Sequence, residues 1–299
     1  MFCASCGSAI SNGDKFCANC GATYQGSSAS PIPLAQNPAG ATVGMLRHPK
    51  EEVYFTIGMT VSVIVWLLLV VILVIPAIIF APIAIPVIIS LWVAGQVFKA
   101  RVLGGAVKVG PEQYPEIYEL ADRYSKRIGL SAPPDMYVIN ENGLINAYAI
   151  KFLSDQYIML YANLVDVMLA HDSSTELGFV IGHEIGHHAA GHTSWWKRLL
   201  LKPAMFLPFF GPAYSRSCEL TGDRIGMYLC GDKDAACRSL ITIACGSRIL
   251  SPKTNLVAFA NQEALLSPLF AFLHDLFSTH PRITRRVIEL QQAAHLIGR

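Results

Sequence analysis

The chain has 299 residues, 53% of them hydrophobic and only 15% charged, with a formal net charge of +2. That length allows one to three units with a sizeable buried core. The small charge excludes a polyanionic partner such as nucleic acid, and the apolar excess points to a membrane.

The first stretch, MFCASCGSAISNGDKFCANCGA, holds four of the eight cysteines. Cys3 and Cys6 form one CxxC pair and Cys17 and Cys20 another, with ten residues between the pairs and a glycine after each. Four thiolates on two such turns make a tetrahedral structural zinc site, and residues 1–22 read as a zinc ribbon. In so small a module the metal supplies most of the folding free energy. Disulfides would need an oxidising compartment, of which this stretch gives no sign. Its only charges are Asp14 and Lys15, so it suits an unidentified protein partner and no nucleic acid. Residues 23–44, rich in Ala, Gly, Ser and Pro, read as a flexible linker.

From Val53 to Phe98 run 46 residues without Asp, Glu, Lys, Arg or His. One membrane span takes roughly 20 apolar residues, so 53–98 is expected to form a transmembrane hairpin of two helices with its turn near IPAIIFAP, 75–82. Arg47 and Lys50 precede the run and Lys99 and Arg101 follow it. Positive flanks at both ends place both soluble parts on the cytoplasmic side of a multi-pass protein in a cell or inner membrane.

Residues 99–299 read as a soluble domain. Apolar spacing predicts a helix over 112–128 ended by Gly129, then a strand after APPDMYVI. NAYAIKF (146–152) and QYIMLY (156–161) read as two further strands, and 162–170 as helix. The next helix is expected from about 174 to 190, opened by the capping-box spacing of Ser173 and Glu176 and stopped near Gly191.

That helix carries GFVIGHEIGHHAAGH. His183 and His187 are four apart, so both rings leave one face and can share a metal ion. Glu184 lies about 100° round the helix, near enough to reach a metal-bound water as general base. His188 and His192 repeat the spacing without a base between them and read as surface or supporting residues facing away. Gly178, Gly182 and Gly186 weaken an ordinary helix, and close packing against a neighbour accounts for them. A third ligand must come from another element. YSRSCELTGDRIGMYL (214–229) reads as a helix with Glu219 and Asp223 four apart. Glu219 completes a His2Glu zinc site, and Asp223 can hold a liganded imidazole by its second nitrogen. Cys218 is the rival ligand, facing about 100° away.

HEIGH, then SRSCELTGD, then STHPRITRR (278–286), in this order behind a membrane hairpin, resembles the HtpX-like membrane zinc metallopeptidases. These gluzincins include the CAAX prenyl endopeptidases and the Oma-type proteases. The resemblance implies an α+β, mainly α, zincin-like fold and a zinc endopeptidase acting on protein or peptide substrates, in membrane protein quality control or processing at the lipid bilayer. It implies His183, His187 and Glu219 as ligands and Glu184 as acid/base. It also implies a substrate-binding edge strand at Asn146 and Ala147, and a role for His280 at the oxyanion. Two departures stand out: the added ribbon, and only 31 residues between His187 and Glu219, too few for the second pair of spans of HtpX itself. The alternative from another class is a catalytically silent zinc-binding membrane scaffold.

Overall fold

The computed structural model describes residues 40–140, 147–152, 155–169, 174–247 and 249–294, all within one compact unit, Pro33–Arg299. The ribbon cysteines Cys3, Cys6, Cys17 and Cys20, most of the linker, and Asn146 lie outside the described residues.

After a short turn of helix, α1 (Val43–Leu46), the chain enters α2 (Pro49–Gly105), which contains the charge-free run. Two stretches of α2, Pro49–Ile72 and Pro82–Gly105, are each long and apolar enough to cross a membrane. The turn expected near 75–82 does not interrupt the helix, and Pro76, Pro82 and Pro86 lie within it. At about 1.5 Å per residue, 57 residues extend roughly 86 Å, nearly three times a ~30 Å hydrocarbon core.

A small sheet follows, with strands β1 (Val107–Lys108), β2 (Asp135–Ile139), β3 (Ala147–Phe152) and β4 (Asp155–Tyr161). The helix α3 (Pro115–Arg127) lies between β1 and β2; proline occupies its first position, and Gly129, at φ +90°, follows its end. The order is β1-β2-β4-β3. β2 runs parallel to β4 while β3 is antiparallel to it, Ala147 pairing with Leu160. β3 is therefore an edge strand among the described residues. Tyr157 to Leu160 are buried one after another, the mark of a strand covered on both faces.

The remaining helices are α4 (Ala162–Leu169), α5 (Ser174–Ala189), α6 (Trp195–Met205), α7 (Phe210–Cys230), α8 (Lys233–Cys245), α9 (Leu256–Asn261), α10 (Pro268–Phe277) and α11 (Ile283–Gln292). α5 and α7 form the centre. Their glycines meet: a Cβ on Gly182 would stand 3.2 Å from the Gly226 Cα, and one on Gly226 2.9 Å from the Phe179 carbonyl oxygen. Only hydrogen at these positions lets the two backbones approach so closely. The capping box expected of Ser173 and Glu176 involves Ser173, which lies outside the described residues. The Glu176 carboxylate accepts from Arg238 Nε (3.2 Å) and Thr242 Oγ1 (3.4 Å) on α8.

The apolar piece 199–214 divides between α6 and the start of α7. α6 packs along α2: Trp66 Nε1 donates to the Leu200 carbonyl (3.2 Å), and the Ala204 N–H donates to Ser62 Oγ (3.1 Å). Leu201 and Ala204 are buried there, while Phe206, Leu207 and Phe209 are exposed. A second exposed apolar surface lies on α10, whose Leu269, Phe270, Phe272 and Phe277 all face outward.

Candidate active site

α5 and α7 pack face to face and bring together side chains 32 or more residues apart in sequence. His183 Nε2 and His187 Nε2 are 3.1 Å apart on one face of α5. From α7, Glu219 places its carboxylate oxygens 3.7 Å from His183 Nε2 and 3.5 Å from His187 Nε2. These three residues form one of two groups among the described residues whose donor atoms lie close enough to share a metal ion. Cys218 falls in the other group, with Glu51 and His192.

Behind each histidine stands a support. His183 Nδ1 is 3.0 Å from Asp223 Oδ1, and Asp223, almost wholly buried, is gripped by Arg286 from α11 through two bonds of 2.8 and 2.6 Å. Burial opposes the Asp223 charge, but Arg286 wins and holds its pKa below the usual carboxylate range. His187 Nδ1 is 2.8 Å from His192 Nδ1, and His192 Nε2 is 3.0 Å from Glu51 Oε1. His192 therefore faces the site rather than away from it: the helix ends at Ala189, and Gly191 at φ +76° folds the chain back toward His187. His188 is not a surface residue either; it is buried, with its Nδ1 3.1 Å from Thr193 Oγ1.

The tautomers follow from these contacts. Asp223 accepts only, so His183 carries its proton on Nδ1 and turns the lone pair of Nε2 outward. Glu51 fixes the His192 proton on Nε2, leaving its Nδ1 to accept from His187. Burial pushes the pKa of His192 down to about 4, so it is neutral. Both ligand-position nitrogens thus present lone pairs to one point, beside a carboxylate. Burial opposes ionisation of Glu219, yet the neighbouring His187, His183 and Arg286 prevail and hold its pKa well below the usual range. Donor atoms round a tetrahedral zinc with bonds of ~2.0–2.1 Å stand about 3.3 Å apart, and this set fits.

Glu184 lies beside the three, buried, with its Oε2 lacking a hydrogen-bond partner among the described residues. Burial pushes its pKa above the usual carboxylate range, against the opposing charge of His183 and His187. An unpartnered buried carboxylate is costly and calls for a role. It lines an open cleft of about 770 Å³ together with His183, His187, Glu219, His280 and Arg286. His280, 68% exposed, reaches over this cleft with Nε2 3.6 Å from Glu219 Oε1. Of the two edge-strand residues anticipated, Ala147 begins β3 and Asn146 is outside the described residues.

Sequence reasoning passed over Arg286, Thr221 and Glu51. Arg286 sits in the STHPRITRR motif, which was the available signal. Glu51 had one too: it is an acid in the turn before a long charge-free run, where a solvated charge was the easier reading.

Two imidazoles one turn apart on one helix, a buried glutamate beside them and a second carboxylate from a facing helix are an arrangement suited to a metallopeptidase. The comparisons agree. Residues 111–201 and 194–294 match peptidase family M48, and the chain belongs to that family. It is 25% identical over 219 residues to the plastoglobule-localized metallopeptidase 48, chloroplastic, of Arabidopsis thaliana, covering 66% of this chain and 62% of that protein. It is 36% identical over 83 residues to a protease HtpX homolog of Pyrobaculum islandicum, covering 27% and 22% respectively. The chain thus spans less than two thirds of the length of either relative. The crystal structure of S. mikatae Ste24p aligns at a TM-score of 0.45 and 16% identity, over 81% of this chain and 67% of that one.

Proposed function

We propose that the protein is a membrane-bound zinc endopeptidase in which His183, His187 and Glu219 hold the catalytic zinc. The observation that carries this is the convergence of His183 Nε2 and His187 Nε2, 3.1 Å apart, with the Glu219 carboxylate, whose oxygens lie 3.7 and 3.5 Å from them, beside the buried Glu184 Oε2, which has no hydrogen-bond partner among the described residues. Bound there, zinc supplies Lewis-acid polarisation of the scissile carbonyl and acidifies water. Glu184 accepts a proton from the attacking water and returns it to the leaving amine, and a carboxylate whose pKa is raised by burial is suited to both transfers. Asp223 and His192 hold the two ligand imidazoles in the tautomer that leaves each Nε2 free. His280, exposed over the cleft, is placed to donate to the developing oxyanion. The free edge of β3, from Ala147, with Asn146 before it, binds an extended substrate by backbone pairing.

Cys3, Cys6, Cys17 and Cys20 hold a second, structural zinc, and the ribbon contacts another protein. Substrates are membrane-associated polypeptides near the cytoplasmic face, in quality control or processing, and the two stretches of α2 form a hairpin. Purified protein tests the reading. It should contain two zinc ions, lose one on deletion of residues 1–22, and cleave casein only while the other is retained. Chelator-resistant cleavage, or a metal-loaded protein that cleaves nothing, would overturn it.

A further inference from the structure

The first turn of α2 is built into the wall of the catalytic site. Glu51, one turn before the charge-free run, is 1% exposed. Arg47 and Thr221 donate to its two oxygens, and His192 donates to Oε1 at 3.0 Å. The same turn is fastened elsewhere: the His48 N–H donates to Thr221 Oγ1 (2.9 Å), Arg47 Nη2 to the Ala190 carbonyl (2.7 Å), and Arg224 Nη1 to the Arg47 carbonyl (3.2 Å). These bonds join the start of the membrane helix to α7 and to the end of α5. From Glu51 the contacts run on through His192 to His187 Nδ1.

We infer that Glu51 is a positioning residue for the metal site: through His192 it fixes the tautomer and ring orientation of His187, so that the site is complete only when the membrane helix is seated. The inference rests on the metallopeptidase reading above. Its logic is that of proton placement. A carboxylate accepts and cannot donate, so His192 turns its N–H to Glu51 and its lone pair to His187. His187 must then donate from Nδ1, and its Nε2 is left to bind metal. Glu51 does for His187, at one remove, what Asp223 does directly for His183, and each carboxylate is held by an arginine. The two supports differ in origin. Asp223 and Arg286 belong to the catalytic domain, whereas Glu51 and Arg47 belong to the segment that enters the membrane.

Glu51, His192 and Cys218 also lie close enough to bind a metal of their own. The surroundings argue otherwise. Arg47 and Thr221 already donate to Glu51, and burial pushes the Cys218 thiol far above the range in which it would be a thiolate.

The test is cobalt titration of the metal-free, full-length protein in detergent. Ligand-field bands separate a nitrogen–oxygen site from the four-thiolate ribbon. Glu51→Leu and His192→Leu, which leave no acceptor in the chain, should each weaken the nitrogen–oxygen site by about 10- to 100-fold. Because both cut one chain, the double variant should fall within about threefold of His192→Leu alone. His192→Gln, whose amide oxygen can still accept from His187 Nδ1, should recover most of the affinity, which no purely structural role explains. Glu52→Gln, on the exposed neighbour, should change nothing. Wild-type affinity in both single variants, additive losses in the double, or no recovery with glutamine would overturn the inference alone. A wild-type protein with no nitrogen–oxygen cobalt site would overturn the metallopeptidase reading, and the inference with it.

Discussion

Among single side chains, Glu184 and Glu219 are both buried or nearly so and both lie within the same cleft, yet their substitutions should be opposite in kind. Glu184→Gln removes a base and no ligand. It should retain the cleft zinc while peptide hydrolysis falls by at least about 10²–10⁴-fold, as expected of a lost proton acceptor. Substantial turnover by a metal-loaded Glu184→Gln protein would refute the assigned role. Glu219→Ala should lose the cleft zinc and leave the ribbon zinc unchanged, whereas Cys218→Ser should keep both, and metal analysis after dialysis decides between them. The proposed ligands and base were legible in the sequence because a helix of known period carries three of them within five residues, and an i, i+4 acidic pair marks the fourth. Of their supports only Asp223 was legible, one turn beyond Glu219; Arg286, Glu51 and the part played by His192 were not. Glu51 and His192 are 141 positions apart, and Asp223 and Arg286 are 63 apart. No local periodicity connects such pairs, so only the folded chain shows that each ligand imidazole leads back to a buried carboxylate.

For the helices, the informative residues are those with no side chain. The four-residue spacing of Gly178, Gly182 and Gly186 implied a close neighbour, and that neighbour is α7, with Gly222 and Gly226 opposite. Gly178 is the exception, since it makes room for the Tyr124 hydroxyl on α3. The two glycines on α7 should fail differently. A Cβ on Gly226 would meet backbone, the Phe179 oxygen at 2.9 Å and the His183 nitrogen at 3.0 Å, so the helices must separate. Gly226→Ala should therefore destabilise the fold by about 1–3 kcal/mol, read as a lower thermal midpoint. A Cβ on Gly222 would instead stand 2.9 Å from His183 Cε1 and 3.2 Å from His187 Nε2. Gly222→Ala should lose cleft zinc with every ligand still present, and retention of wild-type zinc affinity would show that the rings have more freedom than the packing implies. The helices α3, α4, α5 and α7 were readable from apolar period and punctuation, with α3 and α5 ending close to Gly129 and Gly191. The partition of 199–214 was not, because Pro203 lies inside α6 and does not end it, and composition alone could not say that this piece packs along α2.

For the whole molecule, the open matter is how the catalytic domain sits on the membrane, since that decides which substrates are reachable. A helix of 57 residues is too long for one bilayer, and its two apolar stretches are each of the right length to cross. The proposed hairpin, a reversal between Ile72 and Pro82, would return the chain to its starting side. The flanking charges favour the cytoplasm, although Arg47, paired with Glu51 and bonded to Ala190, is part of the site and not a free surface charge. The orientation argument therefore rests on Lys50, Lys99 and Arg101, and on the need of the ribbon thiolates for a reducing compartment. The structure adds an independent constraint. Since the first turn of α2 is bonded to α5 and α7, the catalytic domain must lie on the side from which that helix starts. An impermeant thiol reagent applied to intact cells should leave single-cysteine probes before Arg47 and after Arg101 unlabelled, while a probe near Ile79 reacts. Labelling on both sides together would invert the topology and keep the hairpin. Labelling of the part before Arg47 without the part after Arg101 would mean a single span, but the bonds between α2, α5 and α7 could then not form, so that result would count against the docked first turn as well as against the hairpin.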